Sequence, residues 1–71
     1  MIESTVYLSN SDLDQVCELV GLSGDELETI VGRFRPHSVR AGQLRGELVK
    51  YVDGTYAVRH HFSKKLLWSQ E

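Results

Sequence analysis

The 71-residue chain is the size of one small domain, with so limited a core that folds of this length often rely on a staple or a partner. A lone cysteine, Cys17, excludes an intramolecular disulfide, no apolar run approaches the roughly 20 residues of a membrane helix, and no charged-then-apolar leader opens the chain, so a reducing cytoplasm is the expected compartment. The formal net charge of -2 hides a bipolar distribution: residues 1–32 hold Glu3, Asp12, Asp14, Glu18, Asp25, Glu26 and Glu28 with no Lys or Arg, and the remainder holds all 8 basic residues against Glu47, Asp53 and Glu71.

Such asymmetry implies partner surfaces of more than one kind; the bland alternative is two solvated faces that attract each other across the fold. No repeat, low-complexity tract or domain boundary interrupts the chain, which reads as one domain over residues 1–71.

In chain order, Thr5-Val6-Tyr7-Leu8 fits a short strand, and the Ser/Asn/Asp cluster after it offers N-cap side chains to a helix from Asp12 to Val20. Leu13, Val16, Cys17 and Val20 share one face of that helix, which Gly21 ends. Ser23-Gly24-Asp25-Glu26 has the form of a capping box, in which the serine hydroxyl and the glutamate carboxylate each accept a backbone N–H that the helix start leaves unpaired. It predicts a second helix running to about Gly32, with Leu27, Ile30, Val31 and Phe34 inward. Val39 to Gly46 fits loop, short helix or strand.

Beyond it, "ELVKYVDGTYAVRH" is two apolar-rich runs around Asp53-Gly54, a dipeptide suited to a two-residue type I′ turn. That turn would set Tyr51 opposite Tyr56, Val49 opposite Val58 and Glu47 opposite His60, with Lys50 and Arg59 on the other face. Ser63 to Trp68 reads as a short closing helix.

From Leu13 to Ile30 the chain resembles the helix-turn-helix superfamily: apolar Val16, small Cys17 where two helices would touch, apolar Val20, Gly21 in the tight turn, apolar Leu22, then Leu27 and Ile30 packing the second helix back. A large residue at Cys17 would push the helices apart, and Gly21 takes a left-handed conformation without a Cβ penalty. With the basic connector and the hairpin, the whole looks like the winged, MerR-like group that includes small excisionases, although the connector is longer and the second helix is acidic. The expected fold is α+β: a helix-turn-helix core, a β-hairpin wing and a short C-terminal helix.

The resemblance does not settle function. The outward side of the second helix carries Asp25, Glu26, Glu28 and Thr29, where carboxylates would repel phosphates instead of attracting them. The preferred reading is a non-enzymatic transcription regulator, of the kind phages make to take hold of host machinery, with this acidic face docking on a basic surface of a protein such as RNA polymerase. The alternative is an excisionase-like or repressor-like DNA-binding protein that uses Arg33, Arg35, Arg40 and Arg45 of the connector with Lys50 and Arg59 of the wing.

Catalytic and metal chemistry find little support. His60 and His61 are adjacent and would point to opposite faces of a strand, no C-x-x-C or H-x-x-x-H pair accompanies them, and Gly21-Leu22-Ser23-Gly24 lacks the spacing and the lysine of a phosphate loop. No cofactor is expected. His60 reads as a partner for Glu47, Cys17 as a small apolar contact, and the tyrosines and Trp68 as core or hairpin filler.

Overall fold

A computed structural model describes residues 1–70. Strand β1 (Ile2–Tyr7) leads through a single 3-10 turn (Asn10–Asp12) into helices α1 (Leu13–Val20) and α2 (Gly24–Val31); strands β2 (Gly46–Tyr51), β3 (Tyr56–His60) and β4 (Leu66–Ser69) follow. The four strands form one antiparallel sheet in the order β1-β2-β3-β4, so each strand lies beside its sequence neighbour. The architecture is therefore α+β. Among the described residues no helix is long and apolar enough to cross a membrane.

Local chemistry accounts for the helices. The reciprocal capping box forms: Glu26 N–H donates to Ser23 Oγ at 3.1 Å, and Ser23 N–H donates to Glu26 Oε1 at 3.0 Å. Gly21 ends α1 at φ 76°, in the left-handed region, and its N–H donates to the Cys17 carbonyl. Val16, Val20, Leu27 and Val31 form the inward stripe and meet Leu8, Leu44, Leu48 and Val58 in the core, with Cys17 half-buried against them. Leu8, Leu27, Leu44 and Val58 have no exposed surface, and each such side chain contributes about 1.5–3 kcal/mol of apolar burial.

Three expectations, at β1, α1 and α2, are corrected. The first strand begins at Ile2 and ends at Tyr7, leaving Leu8 to drop into the core. No side chain caps α1; the preceding 3-10 turn is closed by Asp12 N–H on the Ser9 carbonyl at 3.2 Å. Helix α2 ends at Val31 with Gly32 as its C-cap, as expected, but Gly32 leaves the helix at φ 77° and Phe34 therefore belongs to the connector and not to the inward face of α2.

The connector is a loop that returns on itself. Phe34 N–H donates to the Gln43 carbonyl and Arg45 N–H to the Gly32 carbonyl, both at 2.9 Å, and Arg33 bridges Leu44. Tight turns between Arg35 and Gln43 close its tip.

The hairpin is shifted by one residue from the expected register. Lys50 pairs with Tyr56, Val49 with Ala57, Leu48 with Val58, Glu47 with Arg59 and Gly46 with His60. A type I′ turn needs positive φ at both Asp53 and Gly54, and only Gly54, at 91°, has it. Gly54 N–H donates to the Tyr51 carbonyl and Tyr51 N–H to the Thr55 carbonyl, which gives a three-residue loop with glycine in the left-handed position. Asp53 Oδ1 holds the loop by accepting from Thr55 N–H at 3.0 Å and Thr55 Oγ1 at 2.7 Å.

A one-residue slip exchanges faces. Leu48 and Val58 now face the helices, Lys50 lies on their side of the sheet, and Arg59 lies on the opposite side with Glu47, Val49 and Ala57. The hairpin occupies the middle of the sheet, with β1 and β4 along its two edges.

The expected closing helix over Ser63 to Trp68 is replaced by a turn and strand β4, whose Trp68 pairs with Val58 and Ser69 with Ala57. A helix there would leave the outer edge of β3 without hydrogen-bond partners. The turn is closed by Lys64 N–H on the His60 carbonyl, with Lys64 itself at φ 61°.

Candidate functional site

Two surfaces gather side chains of distinct chemistry. The first lies along α2. Glu26, Thr29 and Ile30 are three and four positions apart and share one helical face; with Leu22 before the helix and Trp68 on β4 they line a groove of about 310 Å³. Its apolar side chains, Leu22, Ile30 and Trp68, are half-buried against the core. Glu26 and Thr29 form its exposed rim, and Trp68 is the one tryptophan of the chain.

The four residues expected to meet a protein partner stand close in sequence along α2 but differ in employment. Glu26 closes the capping box, Glu28 Oε1 accepts from Arg33 Nε at 2.9 Å, and Thr29 Oγ1 donates to the Asp25 carbonyl at 2.9 Å. The Asp25 carboxylate has no ion-pair partner among the described residues. All four remain exposed. Sequence reasoning missed the apolar floor beside them, because Trp68 joins it only once residues 66–69 become a strand.

The second surface is the end of the sheet where the connector meets the β3–β4 turn. Arg40 lies over the Tyr7 ring, 4.5 Å from its centroid, and Arg45 lies 5.9 Å from that of Phe34. Edge-on packing sets His61 4.9 Å from Phe34, while the His60 and His61 rings are 4.7 Å apart. His61 Nδ1 is 3.1 Å from the Arg45 carbonyl oxygen. Phe34, Arg35, Ser38 and Arg45 line a second cavity of about 310 Å³. Phe62, in the turn, is 83% exposed. The Tyr7 hydroxyl oxygen is buried with no hydrogen-bond partner.

The six basic residues proposed for nucleic acid separate into two groups. Arg33 is tied to Glu28, donates to Asn10 Oδ1 at 3.0 Å and reaches the Gly42 carbonyl, so it bolts α2 to the connector. Lys50 is 3.6 Å from Glu3, and Arg59 Nε donates to Glu47 Oε1 at 2.8 Å. Arg35, Arg40 and Arg45 have no carboxylate partner among the described residues. The structure gathers these three at the connector and leaves Lys50 and Arg59 apart, on opposite sides of the sheet.

Glu47 and His60 do not pair. Glu47 is buried at 6% exposure and accepts from both Arg59 Nε and Lys64 Nζ at 2.8 Å. Burial pushes its carboxyl up, and the hydrogen bonds from Lys64 and Arg59 outweigh that and hold it below the usual range. His60 Nδ1 instead accepts N–H groups from Phe62 and Ser63 at 3.2 and 3.3 Å. Burial, with the charges of His61 and Arg45, lowers its pKa. Burial raises that of Cys17, aided by Asp14 and Glu26, which keeps the thiol protonated. Among the described residues no three His, Cys, Asp or Glu side chains gather where they could hold a metal ion.

No protein-family model matches this chain, and comparison with curated proteins and with solved structures finds no match.

Proposed function

We propose that this protein is a small non-enzymatic binding module that docks the acid-rimmed groove of α2 on a basic surface of a protein partner, within transcription machinery such as RNA polymerase. The observation that carries this reading is the juxtaposition of Trp68, Leu22 and Ile30 with Glu26 and Thr29. An aromatic anchor in an apolar centre, bordered by polar groups, is the anatomy of a protein-binding hot spot. Glu26 on the rim, Asp25 next to it in α2, and the absence of Lys or Arg from the groove lining give the border a negative sign and favour a basic partner. The helix-turn-helix likeness belongs to the same reading: left-handed Gly21 and half-buried Cys17 support it, with the second helix turned to protein instead of DNA.

The test is a pull-down with the intact chain, performed with and without nuclease and repeated with Asp25→Lys/Thr29→Lys. A protein retained after nuclease treatment by the parent chain and lost by the double variant supports the reading. Retention by both, or loss from both after nuclease treatment, opposes it.

A further inference from the structure

We propose that the arginine-aromatic end of the sheet binds single-stranded nucleic acid, with phosphates on Arg35, Arg40 and Arg45 and an unstacked base on the Phe62 ring. The inference does not depend on the α2 groove. It begins from charge: no Asp or Glu occurs between Glu28 and Glu47, nor between Asp53 and Glu71, and the fold brings these two acid-free segments together. Hydrogen bonds from His61 N–H to the Arg45 carbonyl at 3.3 Å and the His61–Phe34 ring contact join them. Two acids of the first half are held by other cations: Glu28 by Arg33, and Glu3 by Lys50.

One of the three arginines is held in place. A guanidinium over an aromatic ring keeps its N–H edges free for phosphate oxygens while losing rotamer freedom in advance; Arg40, 4.5 Å from the Tyr7 centroid, has that arrangement, and Arg45, 5.9 Å from that of Phe34, lies at the outer reach of such a contact. Arg35 lines the cavity with Arg45, which gives a phosphate a concave seat between two cations.

The choice of a single strand over a duplex follows from Phe62. A phenylalanine that is 83% exposed offers a π-face to a base, and only an unpaired, unstacked base can lie on it. The turn that presents Phe62 is braced: Phe62 N–H donates to His60 Nδ1, and Lys64 is anchored on Glu47. The ring is therefore displayed from a fixed backbone, without being needed for the core.

The experiment is fluorescence anisotropy of the intact chain with labelled oligothymidine, oligouridine and a duplex of the same length, across a salt series. Binding of either single strand at low salt, tighter than the duplex, is expected; the better of the two identifies DNA or RNA as the strand. Phe62→Ala should weaken it on the order of tenfold, with Phe62→Tyr restoring it. Arg35→Ala and Arg45→Ala should each flatten the logarithmic salt slope by about 0.7. Asp25→Lys/Thr29→Lys, which disables the groove, should retain or strengthen the binding, so the two surfaces fail separately. Absence of association at low salt, or binding that Phe62→Ala leaves unchanged, would overturn the proposal.

Discussion

Arg59 donates to Glu47 across the central strand pair at 2.8 Å, and Lys64 Nζ from the β3–β4 turn shares the same carboxylate oxygen. The three side chains are unequal: Glu47 is buried, Arg59 is mostly covered, and the Lys64 side chain is 53% exposed. Glu47→Ala leaves a mostly buried guanidinium without its counter-ion and should destabilise the fold by about 2–3 kcal/mol. Lys64→Ala removes a solvent-screened partner and should cost less than about 1 kcal/mol. Urea denaturation of the two variants and the double variant measures both losses and their coupling. Equal losses would contradict the difference in burial.

The stability of the domain should decline in two steps as pH falls. The pKa of His60 is lowered on folding by burial, with His61 and Arg45 adding to it, so its contribution is complete above the ordinary histidine range and is lost as pH falls through that range toward the folded value. Glu47 is also depressed, burial being outweighed by Lys64 and Arg59; its contribution is complete above the ordinary carboxylate range and disappears at lower pH still. Thermal melts against pH should show both declines, with His60→Ala removing the first and leaving the second.

Two glycines should fail for different reasons. A Cβ at Gly46 would stand 2.6 Å from Val31 Cγ1 and 3.2 Å from the Arg59 carbonyl oxygen, so Gly46→Ala forces β2 away from α2 and should cost about 1–3 kcal/mol. At Gly21 nothing lies within 4 Å of that position, and the cost is conformational. At φ 76°, Gly21→Ala should cost about 1–2 kcal/mol, and Gly21→Val more because of its branched Cβ. Chemical denaturation checks the order of Gly21→Ala and Gly21→Val.

These elements differ in how much the sequence reveals of them. The Ser23 capping box and the left-handed Gly21 depend on residues a few positions apart, and both are legible before any fold is known. The place of the hairpin is legible in the sequence but its register is not, because Asp53-Gly54 suits both a two-residue loop and the three-residue loop in which Asp53 accepts from Thr55. Strand β4 is not legible: Leu66-Leu67-Trp68 has no alternation, and the need of β3 for an edge partner is tertiary. For the same reason neither candidate surface could be assembled in advance, since Tyr7, Phe34 and His61, or Leu22 and Trp68, lie far apart in the chain.

The basic residues should also separate functionally from structurally. Arg33→Ala breaks contacts to Glu28, Asn10 and the Gly42 carbonyl and should lower the melting temperature by several degrees, as about 1 kcal/mol does in a domain of this size. Arg35→Ala, at an exposed position with no ion-pair partner among the described residues, should leave it within about 1–2 degrees. Differential scanning fluorimetry checks both.

The docking groove is tested most directly by the fluorescence of Trp68, the chain's one tryptophan. Titration with a tryptophan-free amphipathic helical peptide of leucine and lysine should shift the emission to shorter wavelength and saturate, because the peptide's apolar face covers the indole while its cations meet Glu26 and Asp25. The leucine-glutamate counterpart should produce no shift, and Asp25→Lys/Thr29→Lys should weaken the first response while the domain stays folded, its melt lowered by no more than several degrees through the lost first-turn acid of α2. A saturating blue shift confined to the basic peptide and the parent chain is the expected result. Emission indifferent to the basic peptide, or equally responsive to both peptides, would contradict the groove as a docking site for a basic partner.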